Sequence, residues 1–349
     1  MSAAEAVIVA GGFGTRMLPL TERRPKHLLE VGGVPFLEHQ ITKLAQAGIE
    51  HVVLATSYHA DQFLPVLGEG ERFGLRLTYV TEEVPLGTAG AIRNVVEALD
   101  RDPEHPVVIL NGDVLSGHDL AAQLRDFEQA REGRSVDVSL HLVEVEDARA
   151  FGCVPTDPQG RVTAFVEKSD APVTNQVNAG CYVFRRRVID LIPAGREVSV
   201  ERETFPQLVA EGAVVVGHVE TAYWRDVGSP QALVSASRDV VLGAAPTAAT
   251  APSGEAWVHP DAEVRGSVEA GSTVLAGAYV EEGARVVGSV VMAGARVERG
   301  AHVEVSVLGR GAVAGRQAVL HDVTLGDEAR VGDDSRPEPG TRVAGGETH

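Results

Sequence analysis

Apolar runs and turn residues alternate through the first two thirds of the chain. Val7–Ala10 is a short apolar run closed by Gly11 and Gly12. Leu37, Ile41 and Leu44 recur at helical spacing, with Gly48 just beyond as a C-terminal stop. Val52–Ala55 is strand-like, Leu75–Val80 alternates, and Thr88–Leu99 reads as a helix. Val107–Leu110 is a continuous apolar run, the pattern of a strand buried on both faces. Strands alternating with helices predict parallel β-α-β units, right-handed crossovers and a site at the C-terminal ends of the strands. Residues 1–242 are therefore expected to form an α/β, Rossmann-like domain. The stretch 243–256, GAAPTAATAPSGEA, is rich in small residues and proline and reads as a linker.

From residue 257 to 349 the period changes. Val268, Val274, Val280 and Val286 are six apart, and Gly271, Gly277 and Gly283 each follow a valine by three. Val291, Val297 and Val303 resume the period after a short step, and Val307, Val313, Val319, Leu325 and Val331 continue it. Of the 38 glycines, 16 lie from Gly254 onward, where Trp257 and Tyr279 are the only aromatics. A core without Phe must be narrow. Six-residue faces, three to a coil, predict a parallel β-helix of hexapeptide repeats with inward valines and small residues at the corners. A Gly/Val-rich sandwich would not hold so strict a step.

Length and charge narrow the functional classes. At 349 residues the chain is long enough for two cores. Lys plus Arg is 31 against 49 for Asp plus Glu, a net charge of −18. That balance argues against nucleic acid or an anionic membrane as partner. Cys153 and Cys181 are too few for a disulfide framework and suit a reducing compartment. No basic segment leads into a long apolar core at the N-terminus and no 18-residue apolar run occurs, so a cytoplasmic protein is expected. Only three lysines occur, Lys26, Lys43 and Lys168.

The chemistry concentrates in Ala10–Gly33, AGGFGTRMLPLTERRPKHLLEVGG. A dinucleotide fingerprint counted from Gly12 would need glycine at Met17, and no Gly-Lys-Ser/Thr follows for a Walker loop. What remains is a glycine loop whose N–H groups can approach phosphates closely, followed by Arg16, Arg23, Arg24 and Lys26 against the single acid Glu22. In so acidic a chain this excess of positive charge reads as a focused anion site. A solvated loop with incidental arginines is the plainer alternative.

The run G-G-x-G-T-R-x-x-P-L-T-x-x-x-P-K resembles the signature of the sugar-1-phosphate nucleotidyltransferases. PLGTAGA at 85–91, NGDV at 111–114, VEKS at 166–169, NAGCYVF at 178–184 and YWRDVGSP at 223–230 follow in that family's order. The chain is most similar to its mannose-1-phosphate guanylyltransferase branch. The resemblance implies a Rossmann-like mixed sheet followed by a left-handed β-helix; the flat sheet faces and terminal edge of such coils predict homo-oligomers assembled through the β-helix. It implies that Gly11, Gly12, Gly14 and Thr15 hold the nucleotide, with Gly87 beyond them, and that Arg16 grips the β- and γ-phosphates. Lys26 would stabilise the phosphates in transfer, and Asp113 and Asp226 would share Mg²⁺. Glu167 and Asn178 would bond sugar hydroxyls, Gly152 would allow close approach, and Lys168 would bind the sugar phosphate. His27 departs from the family pattern, which usually has proline there.

Chemistry and inventory agree. A sugar phosphate, with a second pKa near ~6, is already a competent nucleophile and needs no general base. In-line attack on an α-phosphate needs positioning, charge neutralisation and a metal. Glu82 stands where the thymidylyl and uridylyl branches carry glutamine. Its carboxylate can accept from guanine N1–H and N2–H₂ together, which favours GTP over other nucleoside triphosphates. Glu83 beside it leaves the register open by one. Another sugar or cyclitol phosphate, or a non-catalytic nucleotide-sugar-binding subunit, are the alternative readings. The histidines of the β-helix (His259, His302, His321) read as surface residues, and both cysteines as packing residues.

Overall fold

Residues 4–100, 102–166, 170–250 and 253–349 are described by the structure, a computed structural model. They group into two compact units that do not follow chain order. One holds the N-terminus to Gly12 together with Ile41–Trp224; the other holds Phe13–Gln40 and Arg225–His349.

The first unit is built on a seven-stranded sheet. Its strands are β1 (Glu5–Ala10), β2 (His51–Thr56), β3 (Arg76–Thr81), β4 (Pro106–Asn111), β5 (Val138–Glu144), β6 (Gln176–Arg185) and β7 (Val215–Glu220). Their order is β7–β5–β6–β4–β1–β2–β3. Strands β4, β1, β2 and β3 run parallel, with Val7 between Val53 and Ile109. Strand β6 runs against both its neighbours, β4 and β5, so the sheet is mixed rather than wholly parallel. The continuous apolar runs occupy the middle of the sheet: Val107, Val108 and Ile109 of β4, like Val52–Leu54 of β2, are completely buried. The helix expected over 88–99 is α-helical over Gly87–Asn94 and ends in a 3₁₀ turn at Val96–Ala98. The helix Phe36–Gln46 ends before Gly48, whose φ of 83° makes it a left-handed stop.

In the second unit a parallel β-helix occupies most of the mass. Its strands stack into sheets of six, five and four. Inward positions pair as Val274, Val291, Leu308, Leu325 on one face, Val280, Val297, Ala314, Val331 on the next, and Val286, Val303, Leu320 on the third. Each of these steps is 17 residues, not 18, because the third corner is one residue short: Val286 to Val291 is five residues. Read in sequence, the period steps four residues from Val303 to Val307 and places Val307, Val313 and Val319 inward. Their neighbours Leu308, Ala314 and Leu320 are the fully buried residues, while Val313 and Val319 are half-exposed. At the short corner a buried serine replaces regular strand pairing. Ser289 N–H donates to Ser272 Oγ (3.2 Å), Ser306 N–H to Ser289 Oγ (3.1 Å) and Val323 N–H to Ser306 Oγ (3.0 Å). The corners are not all glycine either: Gly288, Val305 and Asp322 are equivalent, with φ of 50°, 47° and 51°.

The same unit contains the excursion Phe13–Gln40 and the helix Pro230–Val241, capped by Ser229. The ring of Trp257, at the start of the β-helix, lies over Gly33; a Cβ there would meet it at 2.4 Å. In the stretch 243–256, Thr247 Oγ1 is 2.8 Å from His39 Nδ1, and Ser253 and Gly254 N–H donate to Val241 O at 3.1 and 3.0 Å. No helix among the described residues is long and apolar enough to cross a membrane.

Candidate active site

At the end of β1 the chain turns through Gly11, whose missing side chain leaves room for two neighbours. A Cβ would come within 2.8 Å of a Glu82 carboxylate oxygen and 3.1 Å of Ser57 Oγ. Ser57 Oγ also donates to Gly11 O, and Glu82 N–H donates to Thr56 O at 2.9 Å. Glu82 therefore lies against the glycine loop, whereas Glu83 is exposed. Burial raises the Glu82 carboxyl above the ordinary carboxylate range, although hydrogen bonds from Leu86 N–H and Ser57 work the other way. Glu82 Oε2 is enclosed and makes no hydrogen bond.

The PLGTAGA segment has structural work of its own. Gly87 opens the helix Gly87–Asn94 at φ 69°, and a Cβ there would meet Val198 O at 2.6 Å; one at Gly90 would meet Arg196 O at 2.9 Å. These glycines let the helix lie against the backbone of 196–198, and Ala89 N–H bonds Val198 O at 2.9 Å. Thr88 Oγ1 accepts from Val200 N–H (2.8 Å) and donates to Glu201 Oε2 (3.3 Å).

Asp113 follows β4 in the turn Asn-Gly-Asp, half-buried, and Gly112 N–H is fixed by Val9 O at 3.0 Å. Asn178 Oδ1 accepts from Gly180 N–H (3.0 Å), and its Nδ2 donates to the buried Tyr182 hydroxyl (2.8 Å). That hydroxyl donates to Glu201 Oε1 (3.4 Å), and burial first, then the Glu201 charge, raises it well above the ordinary tyrosine range. Asn178 is thus held by protein partners, with the sheet fixing its direction. Gly152 has only Val166 O near it, at 3.4 Å from a would-be Cβ, so its missing side chain leaves room. Glu167 and Lys168 lie outside the described residues.

Within the second unit, Gly14 (φ 65°) caps the 3₁₀ turn Thr15–Met17, and Thr21 Oγ1 donates to its carbonyl at 2.9 Å. A Cβ on Gly14 would sit 3.3 Å from Lys26 Cβ, which places Lys26, half-buried, beside the loop. Thr15 and Arg16 are exposed. The Arg16 guanidinium is 3.6 Å from the Asp226 carboxylate. One member of the expected cationic run is committed elsewhere. Arg24 is buried, ion-paired with Asp327 and bonded to Met292 Sδ. Arg23 lies 3.6 Å from Glu328 in an exposed pair, as Arg16 does from Asp226. The expected anion site therefore loses Arg24.

Asp113 and Asp226 each offer carboxylate oxygen, from separate segments of the chain. Carboxylate oxygen is the donor chemistry that suits a hard divalent cation such as Mg²⁺. Cys181 is fully buried, with its thiol pushed up to about 12 by burial, and is inert. Ser57, Thr88, Tyr182 and Glu201 were not singled out from sequence. Tyr182 stands within NAGCYVF, but a buried hydroxyl and its carboxylate partner 19 residues on leave no local pattern.

Comparison with known proteins gives the family of each part of the chain. The profile of the nucleotidyl transferase family matches residues 5–241, and that of a GlmU-like C-terminal hexapeptide domain matches residues 255–336. The chain is 50% identical over 284 residues to a mannose-1-phosphate guanylyltransferase of Mycobacterium tuberculosis, covering 81% of this chain and 76% of that protein. A mannose-1-phosphate guanyltransferase of Yarrowia lipolytica is 36% identical over 66% of this chain and 62% of its own length. Among solved structures, HddC from Yersinia pseudotuberculosis complexed with GMP-PN is similar with a TM-score of 0.58 and 26% identity, covering 68% of this chain and 99% of that one.

Proposed function

The chain belongs to the nucleotidyl transferase family, and we propose that it transfers a guanylyl group from GTP to mannose 1-phosphate, giving GDP-mannose and pyrophosphate. The observation that carries this reading is the match to the mycobacterial mannose-1-phosphate guanylyltransferase over 81% of the chain. Glu82 supports the choice of base: it is the member of the Glu82–Glu83 pair turned toward the glycine loop.

In this reading a phosphate oxygen of the sugar phosphate attacks the α-phosphorus of GTP. The bond from that phosphorus to the β-phosphate oxygen breaks, and pyrophosphate leaves with the electron pair. Gly11, Gly12, Gly14 and Thr15 present backbone N–H groups to the nucleotide, and Gly87 sets the helix beyond them. Exposed Arg16 meets the β- and γ-phosphates, and Lys26, a compact charge beside Gly14, meets the phosphate being transferred. Glu82 accepts from the guanine edge. Gly152, Glu167, Lys168 and Asn178 serve the sugar phosphate. Asp113 and Asp226 are the residues that would hold Mg²⁺, which when bound neutralises phosphate charge.

The test is pyrophosphate release measured over a matrix of nucleoside triphosphates and sugar 1-phosphates. GTP with mannose 1-phosphate is expected to give the highest kcat/KM. A higher value for another pair would replace the proposed substrates, and no release with any pair would remove the enzymatic reading.

A further inference from the structure

The turn that carries Arg16 is held from behind by the last coil of the β-helix. Inside the turn, Met17 N–H bonds Gly14 O (2.9 Å), Leu18 N–H bonds Thr15 O (3.3 Å) and Leu20 N–H bonds Met17 O (3.0 Å). The carbonyls of Arg16 and Leu18 are taken by Arg342 Nη1, at 3.0 Å each. One guanidinium nitrogen carries two hydrogens, one for each carbonyl. Arg342 lies on the strand Arg342–Val343, which pairs with Thr324–Leu325.

Further contacts fasten the segment that follows. Gly345 N–H reaches Glu22 Oε2 at 3.4 Å, Asp327 pairs with buried Arg24, and Arg310 lies 2.9 Å from Glu30. These partners stand on the final coils, three hundred residues along the chain from the turn, and none of their side chains belongs to the proposed chemistry. The buried Arg24–Asp327 pair anchors the segment; Arg342 acts nearest the functional side chain, on the peptide groups flanking it.

We propose that Arg342 is a positioning residue for the nucleotidyl transfer, and that the terminal coils of the β-helix set the catalytic competence of the Arg16 turn. This rests on the reading that Arg16 meets the departing phosphates. With both carbonyls held, the turn presents the exposed guanidinium of Arg16 in one direction. Without Arg342 the turn loses its fixed seat, and its own hydrogen bonds open more often. Pre-organisation at the phosphates is what suffers, not the fold.

The test uses full-length variants Arg342→Met, Arg342→Lys and Arg16→Ala, the double variant, and Arg299→Met as an exposed control elsewhere on the β-helix. Arg342→Met is expected to lower kcat roughly ten- to a hundredfold, the scale of a small misplacement at a reacting group. KM for mannose 1-phosphate should stay within about twofold, and Arg342→Lys should recover part of the loss, because an ammonium can still donate to both carbonyls. In the Arg16→Ala background, Arg342→Met should add little. Arg299→Met should match the parent. Hydrogen exchange at the Met17 and Leu18 amides should quicken in Arg342→Met while the serine-ladder amides stay protected. Should Arg342→Met disrupt folding, Arg342→Lys and its exchange pattern decide the matter. Unchanged kcat and unchanged exchange in either Arg342 variant would overturn the proposal. Full activity in Arg16→Ala would instead overturn the reading beneath it.

Discussion

The guanidinium of Arg16 faces the carboxylate of Asp226 across 3.6 Å, with the two side chains 68% and 35% exposed. The glycine at 228 makes room for it, since a Cβ there would fall 2.4 Å from Arg16 Nη2. An exposed pair at this distance adds at most about 1 kcal/mol to stability. Its value lies in charge placed where phosphates and a cation are expected.

Arg16→Ala, Asp226→Asn and Asp113→Asn should each lower turnover by at least ~10²-fold, the scale of one lost electrostatic contact in a transition state. Melting temperatures should stay close to the parent. For the two aspartate variants, the Mg²⁺ concentration giving half-maximal rate should rise. Steady-state kinetics over a Mg²⁺ series, beside thermal melts, decides this. Near-parental rates in both aspartate variants would remove the metal assignment.

Glu82 should govern base choice. A bidentate contact to a base contributes about 1–3 kcal/mol of discrimination. Glu82→Gln should therefore reduce the preference for GTP over UTP by roughly ten- to a hundredfold, and Glu83→Gln should do much less. The sign of the pH effect follows from the raised carboxyl of Glu82. As pH falls, the proton arrives earlier than on an ordinary carboxylate, so in the parent GTP preference should fade at a higher pH than an ordinary carboxylate would give, and in Glu82→Gln it should stay flat. For stability the same shift means that the ionised carboxylate costs the folded state at neutral pH. Glu82→Gln should melt no lower than the parent at pH 7, and any gain should vanish as pH falls through the folded-state pKa.

Lys43 predicts an alkaline effect on stability. Its ammonium is buried, 2.9 Å from Ser116 O and 2.7 Å from His118 Nδ1, and burial pushes it down to about 8. His118 stacks on His141 at 3.9 Å, and Cys181, Glu220 and Asp119 also face the ammonium. Between pH about 8 and the unfolded-state value of 10.5, the unfolded chain holds a proton that the folded chain has lost. Stability should rise through that window relative to Lys43→Met. Urea unfolding of both proteins at pH 7 and pH 10 measures the difference. A parent that gains nothing on Lys43→Met at the higher pH would contradict the assignment.

The register of the β-helix can be read by truncation. Leu320 is fully buried and its neighbour Val319 is half-exposed. Leu320→Ala should lose about 2–5 kcal/mol, and Val319→Ala well under that. Equal losses in calorimetry would mean that the inward face is misassigned.

These cases also show what local pattern could and could not convey. The run Val107–Leu110 announced a strand buried on both faces because burial there is uniform, and the hexapeptide step announced a β-helix because identical side chains recur. The short step from Val286 to Val291 was legible, but its recurrence after Val303 and Leu320 was hidden. Its serines give their hydroxyls to the next coil, a long-range act, and inward Ala314 is too small to stand out beside Val313. The glycine loop was legible because its turn needs a left-handed residue, as Gly14 shows with a φ of 65°. Arg24 was misread as part of the anion site because its partner Asp327 is 303 residues away. Charge runs report composition locally; pairing is decided by the fold.

The 17-residue coil has a consequence for length. Coils stack at one strand spacing, about 4.8 Å, so the number of coils gauges the distance between the first coils, where the helix Pro230–Val241 packs against Ser272–Val274, and the last, where Arg342 meets the carbonyls of Arg16 and Leu18. Removing one coil would leave every remaining rung correctly paired and every inward residue inside. It would also draw Arg342 away from its carbonyls by more than a hydrogen bond can stretch. A solenoid by itself tolerates gain or loss of whole repeats. Here the tally of coils is pinned at both ends, which makes the β-helix a ruler cut to the reach of a single turn.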